Sequence, residues 1–300
     1  MDDEARVDPS HVERIRAVLR DRADDQRVKR VRAWIEHAHE NALLALRGDD
    51  GADLRYSHLA WAKTALDPEA EDRLPARTQR RATKDGAIAG FGKYEEFDPL
   101  WLETLAEYLD DLQVREPDFG RSPAVVAMAE GASLAVAGDW ATGYWQGDRT
   151  PAAKIAVALA AADYTIHLGD TYYAGTQDQV KHQLRELWPK GRLDCFAIPG
   201  NHEMYTKAWP FRDALAARFP NQNETTFFAL RSEHWLVLAL DTAYFATGMY
   251  LRGRLRRKGD PGDNAQIAFA REQLASRGAR RVILFTHHPP FPLEIGRAHV

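Results

Sequence analysis

Between residues 11 and 47 the apolar positions fall three and four apart, most clearly at Val28, Val31, Ile35, Ala38, Ala42 and Leu46, with Arg, Asp and Glu between them. A period near 3.6 residues puts such positions on one side of a helix, so one or two amphipathic helices are expected here. Residues 67–93 break the pattern: the stretch is polar and basic and holds Pro68, Pro75, Gly86, Gly90 and Gly92, which reads as a long loop. Helical spacing returns with Phe97, Trp101, Leu105, Tyr108 and Leu112, an aromatic stripe read as core. Residues 117–123 run from proline to proline and read as a linker, with a domain boundary near residue 122.

Beyond it, short apolar runs alternate with helical stretches. Strands are expected at 134–137, 164–168 and 195–198, with a helix opened by Pro151 and another around 177–187. A hairpin at 227–230 and 235–240 follows, then a helix over 264–277 and a strand over 282–285. This alternation predicts an α/β domain preceded by a helical region.

Composition narrows the functional classes. At 300 residues with 45% hydrophobic side chains, the chain can fill a globular core. A net charge of -4 gives no means of neutralising a polyanion, so nucleic acid is not an expected partner. The single Cys195 cannot form an internal disulfide, and Met1, Asp2, Asp3 and Glu4 lack the basic, apolar start of a secretory signal; a cytoplasmic location is expected. The most apolar run, 155–162, is far shorter than the roughly 18 residues of a membrane span, so no membrane association is expected.

Four of the expected strands end in residues of metal-ligand type, where open α/β sheets place their sites. They are Gly138-Asp139-Trp140; Gly169-Asp170-Thr171-Tyr172-Tyr173; Gly200-Asn201-His202-Glu203; and His287-His288-Pro289. A glycine before each Asp or Asn is expected to let the backbone turn sharply and lift the side chain above the strand edge.

The order G-D, G-D-x-x-Y, G-N-H-E, H-x-P resembles the calcineurin-like metallophosphoesterase superfamily over residues 133–290. Singly these motifs are common; four in this order are specific. The resemblance implies a sandwich of two sheets flanked by helices, with metals in the loops, over residues 123–293 after a helical extension of 1–122. Most members begin with D-x-H, whereas Ala141 stands at the third position here. Tyr173 in G-D-x-x-Y instead resembles the purple acid phosphatase branch, where that tyrosine ligates ferric iron, although that branch usually has glycine at the position of Ala141.

Carried over, the resemblance implies that Asp139 and Tyr173 bind a first metal, Asp170 bridges both, and Asn201 and His287 bind a second, with His202 contacting the leaving group. A hydroxide between two cations about 3.5–4 Å apart would attack phosphorus in line. Hard oxygens and a phenolate suit Fe3+, while amide and imidazole suit a divalent ion such as Zn2+, Mn2+ or Fe2+. His288 is read as a substrate or supporting contact, His167 as a structural hydrogen-bonder and Tyr172 as packing; Asp241 receives no metal.

The family's G-H-x-H segment is expected after the fourth motif, and nothing after His288 supplies it. Residues 294–300, E-I-G-R-A-H-V, match in frame the translation of a common sequencing adapter and are set aside, His299 with them. The 300-residue chain is therefore expected to hold metal weakly and turn over poorly.

The basic groups Arg252, Arg254, Arg256, Arg257, Lys258 and Arg77, Arg80, Arg81, Lys84 read as solvated loops or as grips for an anionic substrate. The N-terminal helices read as a packing or partner domain with no chemistry and no identifiable partner. The favoured expectation is hydrolysis of a small phosphorylated substrate, chiefly phosphomonoesters. Phosphodiesterase or nuclease activity of the same superfamily, and a catalytically dead binding module, are the alternatives. The Asp-Arg-Gly of protein phosphatases is absent from the second motif.

Overall fold

The computed structural model describes residues 8–48, 51–53, 56–69, 72–74, 81–82, 88–89, 101–115, 117, 122–141, 151–246, 253–256, 262 and 264–289. The chain divides into two compact units, meeting in sequence between Gln113 and Val114.

In the first unit, Asp8 opens α1 (Pro9–Asp21): its carboxylate accepts the Ser10 N–H at 2.8 Å, and Pro9 sits where no helical N–H is needed. Asp25 opens α2 (Gln26–Leu46) in the same way, accepting the Arg27 N–H. The expected stripe of α2 is buried from Val28 through Ala42, but Leu46 is 39% exposed, so the packed face ends a turn before the helix does. Helices α3 (Ala60–Leu66) and α4 (Trp101–Asp110) complete the bundle. On α4, Trp101 and Leu105 are buried as expected, joined by Leu109 rather than Tyr108; Phe97 lies outside the described residues. Arg14 of α1 pairs with Glu107 and Asp110 of α4 at 2.8 and 2.6 Å. Within the stretch expected to be loop, β1 (Arg81–Ala82) and β2 (Ile88–Ala89) form a short antiparallel pair.

The second unit holds two sheets. Strands β4 (Leu134–Ala137), β5 (Tyr164–His167) and β6 (Asp194–Ala197) run parallel. The other sheet has the order β3 (Val125–Ala127), β7 (Phe228–Arg231), β8 (Trp235–Leu240), β9 (Arg281–Thr286), and only its β7–β8 hairpin is antiparallel. Its helices are α5 (Pro151–Leu159), α6 (Gln177–Gln179), α7 (Trp209–Arg218) and α8 (Ala265–Ala275). The helix expected from residue 177 is α-helical for one turn and continues as a π-helix over Val180–Arg185.

Successive side chains on a strand point to opposite faces, and this alone sorts the apolar residues into layers. Phe196 and Ile198 face the space between the sheets, where they meet Phe228, Leu230, Val237 and Ala239. Their neighbours Cys195 and Ala197 face outward and are covered by Val180, Leu184, Trp188, Phe211 and Leu215. On the far side, Phe227, Leu236 and Leu238 pack against Phe269 of α8. The result is a helix–sheet–sheet–helix sandwich, the α/β architecture expected from the alternation. Strands covered on both faces read as unbroken apolar runs, which is why β6 and β8 are legible. Phe196 is fully buried at the centre, and truncating it to Ala would cost about 3–5 kcal/mol. Among the described residues no helix is long and apolar enough to cross a membrane.

Candidate metal centre

Backbone pairing between β4 and β5 continues past the strands and carries the first two motifs with it. The Leu168 N–H bonds Ala137 O at 2.8 Å, Asp139 N–H bonds Gly169 O at 2.7 Å, and Trp140 N–H bonds Asp170 O at 2.6 Å. Asp139 and Asp170 are thereby set side by side. The third motif joins through β6, whose Ile198 N–H bonds His167 O at 2.9 Å.

The sharp turns sit mainly on the aspartates themselves. Asp139 and Asp170 have φ of 52° and 66°, a region Asp tolerates better than most residues. Among the glycines preceding the ligand-type residues, Gly169 alone shares it, at 97°; Gly138 and Gly200 do not turn the chain as expected. What Gly200 supplies is room. A Cβ there would lie 2.1 Å from Asp170 Oδ1, and one on Gly169 would lie 2.3 Å from the Gly200 nitrogen. The two loops touch backbone to backbone, and only glycine permits that.

His287 follows β9 and brings an imidazole from the second sheet. Its Nδ1 lies 2.9 Å from Leu168 O. A carbonyl only accepts, so Nδ1 carries the hydrogen and the neutral ring turns the Nε2 lone pair outward. That lone pair faces Asn201 Oδ1 at 3.2 Å and Asp170 Oδ2 at 3.3 Å. The Asn201 amide is oriented by its Nδ2, which donates to Tyr205 Oη at 3.1 Å. With the ring neutral three acceptor atoms converge, an arrangement that repels itself unless a positive charge joins it, either a proton on Nε2 or a cation. Burial pushes the His287 pKa down, yet the Asp170 carboxylate and its hydrogen bond, with Asp139 behind them, raise it to about 9. Asp170 in turn is held below its ordinary value: burial opposes ionisation, but His287, His202 and the hydrogen bonds they make outweigh it. The donor set of carboxylate, amide and imidazole fits a divalent cation.

The two carboxylates share one hydroxyl, that of Tyr172, which lies 2.8 Å from Asp139 Oδ1 and 3.0 Å from Asp170 Oδ2. Tyr172, read from the sequence as packing, therefore supplies a polar atom to the site. Tyr173 is buried beside it; its carbonyl accepts from His202 Nδ1, and its ring meets that of Tyr172 edge-on. His202, 2% exposed, packs at a tilt against Tyr172 and places Nε2 3.7 Å from Asp170 Oδ2. Burial lowers the His202 pKa, against the pull of the Asp170 carboxylate.

Glu203 has no counterpart among the residues given a role from the sequence. It is fully buried and accepts three backbone N–H groups, from Asp170 at 3.0 Å, Thr171 at 2.6 Å and Gly200 at 2.7 Å. Burial and then the Asp170 charge raise its pKa to about 7, while the three N–H groups pull it down. A fully buried acid must be answered by hydrogen-bond donors, and here backbone N–H groups supply them. His167 accepts the Gly169 N–H at 3.1 Å beneath the site; burial foremost lowers its pKa to about 3. His288 hydrogen-bonds the Thr242 hydroxyl through Nδ1 at 2.9 Å, and its ring meets that of His287 edge-on at 4.7 Å. Of the basic run near residue 254, Arg254 and Arg256 are described, and the Arg254 N–H bonds Thr242 O.

The structure therefore brings together Asp139, Asp170, Asn201, His202 and His287, with Tyr172 added. Counting His, Cys, Asp and Glu alone, no group of three among the described residues is disposed to hold a metal; the convergence depends on the Asn201 amide. An oxygen-rich cluster at the carboxyl ends of strands in a two-sheet sandwich is an arrangement that metal-dependent hydrolases use. The chain belongs to the calcineurin-like phosphoesterases, whose family model matches residues 132–299. Members of that family generally use two metal ions to hydrolyse phosphoesters. A search of curated proteins finds no match to the chain.

Proposed function

We propose that the chain hydrolyses phosphate monoesters at two cations, one held by Asn201 and His287, the other by Asp139 and a tyrosine phenol, with Asp170 common to both. The observation that carries this reading is the convergence of His287 Nε2 on Asn201 Oδ1 at 3.2 Å and on Asp170 Oδ2 at 3.3 Å, a cluster whose negative potential a cation can answer in place of the His287 proton. When bound, the cations would acidify a water between them and neutralise charge on the phosphoryl group. The chain's own groups prepare that site. Leu168 O fixes the His287 tautomer, and Tyr205 turns the Asn201 oxygen inward. Glu203 locks the loops bearing Asp170 and Gly200 together. His202, its Nδ1 hydrogen held by Tyr173 O, presents Nε2 beside Asp170, where it meets the leaving oxygen of the ester. The anionic oxygens of the first position suit Fe3+, and the amide and imidazole suit Zn2+, Mn2+ or Fe2+.

The test is metal analysis of the purified chain, followed by turnover of p-nitrophenyl phosphate, its bis-ester and nucleotides before and after chelation. Faster hydrolysis of the monoester, lost with chelator and restored by divalent metal, supports the proposal. Preference for the bis-ester points to the diesterase alternative. Absence of metal-dependent turnover on every substrate sinks the reading.

A further inference from the structure

We infer that Thr242 and Gly253 hold the His287 imidazole in place for a cation by clamping its chain neighbour, His288; the inference rests on the metal-centre reading above. His287 follows β9, which among the described residues pairs with β8 alone, so the strand gives it support from one side. The next residue supplies a second hold. Thr242 Oγ1, just past the end of β8, accepts the His288 N–H at 3.1 Å and lies 2.9 Å from its Nδ1. With one lone pair filled by the N–H, the hydroxyl hydrogen has Nδ1 as its one acceptor among the described residues, which leaves the ring hydrogen on Nε2. Thr286 Oγ1 donates to His288 O at 2.8 Å. His288 is thus fastened at its N–H, its ring and its carbonyl.

Backbone packs against the same ring. A Cβ on Gly253 would lie 2.4 Å from His288 Cβ and Cγ and 2.6 Å from Nδ1, so only glycine fits there. The Arg254 N–H bonds Thr242 O at 2.8 Å, tying this loop to the residue that holds the ring. His288 is 5% exposed and meets the His287 ring edge-on, at 87° and 4.7 Å between centroids. A fixed ring at that contact restricts how far His287 can turn away from Asn201 Oδ1 and Asp170 Oδ2.

Stability alone does not account for a histidine at this position. His288 Nε2 is buried with no hydrogen-bond partner among the described residues, and burying a polar group unpaired is unfavourable. An apolar ring would avoid that loss but would give the Thr242 hydroxyl nothing to hold. Thr242 and Gly253 are therefore positioning residues, acting on His287 through His288.

The experiment measures Zn2+ binding by calorimetry for wild type, Thr242→Val, Thr242→Ser and Gly253→Ala, with thermal unfolding to establish that each variant is folded. Thr242→Val keeps the shape and loses the hydroxyl, and its Zn2+ affinity is expected to fall about tenfold or more. Thr242→Ser restores the hydroxyl and is expected to bind like wild type. Wild-type affinity in Thr242→Val, or an equal loss in Thr242→Ser, overturns the inference. If Thr242→Val does not fold, Gly253→Ala decides: it keeps the hydroxyl but displaces the His288 ring, so a loss of about tenfold supports the clamp and wild-type affinity overturns it. A wild-type chain that binds no Zn2+ overturns it as well. Turnover of p-nitrophenyl phosphate by the Zn2+-loaded wild type is read separately: its absence counts against the phosphoesterase reading and leaves the Zn2+ affinities to decide the clamp.

Discussion

Glu203 holds Asp170 from behind, its Oε2 accepting the Asp170 backbone N–H at 3.0 Å while the same oxygen takes the Gly200 N–H at 2.7 Å. One carboxylate thus joins the second motif to the third, and Thr171 adds a further bond to Oε1. Glu203→Gln puts an NH2 against at least one of these N–H groups. Leaving a buried donor unmet costs roughly 1–3 kcal/mol, so thermal unfolding should fall by that amount, with weaker divalent metal binding beside it. Unchanged unfolding and unchanged metal affinity would remove Glu203 from the site's support.

Asp170 touches Tyr172, His202 and His287. Asp170→Asn keeps the shape and one oxygen but removes the charge that both cation positions need. Metal affinity and turnover of p-nitrophenyl phosphate should each drop by about a hundredfold or more. Metal content and initial rates on the same preparation check this, and near-normal values for both contradict the shared role.

Gly200 and Gly138 separate room from turning. A Cβ at Gly200 meets Asp170 Oδ1 at 2.1 Å and the Asp170 nitrogen at 2.7 Å, whereas at Gly138 the nearest atom is Leu168 Cβ at 3.1 Å. Gly200→Ala must move the Asp170 loop, and overpacking of this kind costs about 1–3 kcal/mol. Gly138→Ala should cost less than half as much. Denaturant unfolding of the two variants gives the comparison, and equal losses would refute it.

Asp241 lies at the end of β8, fully buried, with its Oδ1 accepting the Ala243 and Tyr244 N–H groups at 2.8 and 2.9 Å. Burial raises its pKa from 3.8 to about 6, against those hydrogen bonds. The folded state therefore favours the protonated form. Its contribution is fully present below pH 4 and is lost as pH rises through 6, a difference of about 3 kcal/mol by pH 7. Asp241→Asn should flatten stability between pH 4 and 7 and unfold later than wild type at pH 7. A pH profile identical to that of wild type would show that Asp241 does not titrate in this range.

The sandwich was legible because its strands are buried on both faces, so runs such as Trp235–Leu240 stay apolar throughout. β3 was not, since Val125–Ala127 is three residues long and Val125 is 47% exposed. α7 was missed for another reason: it begins after two left-handed residues, Lys207 and Ala208, with no capping side chain to announce it. The motifs located the loops that converge, because strand ends fix where a loop starts. They do not fix where each side chain points. Tyr172 and Tyr173 are adjacent, of one type and both buried, and the direction of the Tyr172 ring depends on pairing with Trp140 and packing against His202, contacts between segments far apart in sequence.

His287 comes from the edge of its sheet. Among the described residues β9 has β8 as its one neighbour, and Val282 and Leu284 on its outer face are 39% and 50% exposed. The remaining ligand-type groups all ride on the three-stranded sheet. A cation between them would act as a clasp across the sandwich, and its grip would be limited by fraying of a single strand. Amide protons of β9 should then exchange faster than those of β5 and β6 in the metal-free chain, and slow when metal is added while the inner strands hardly change.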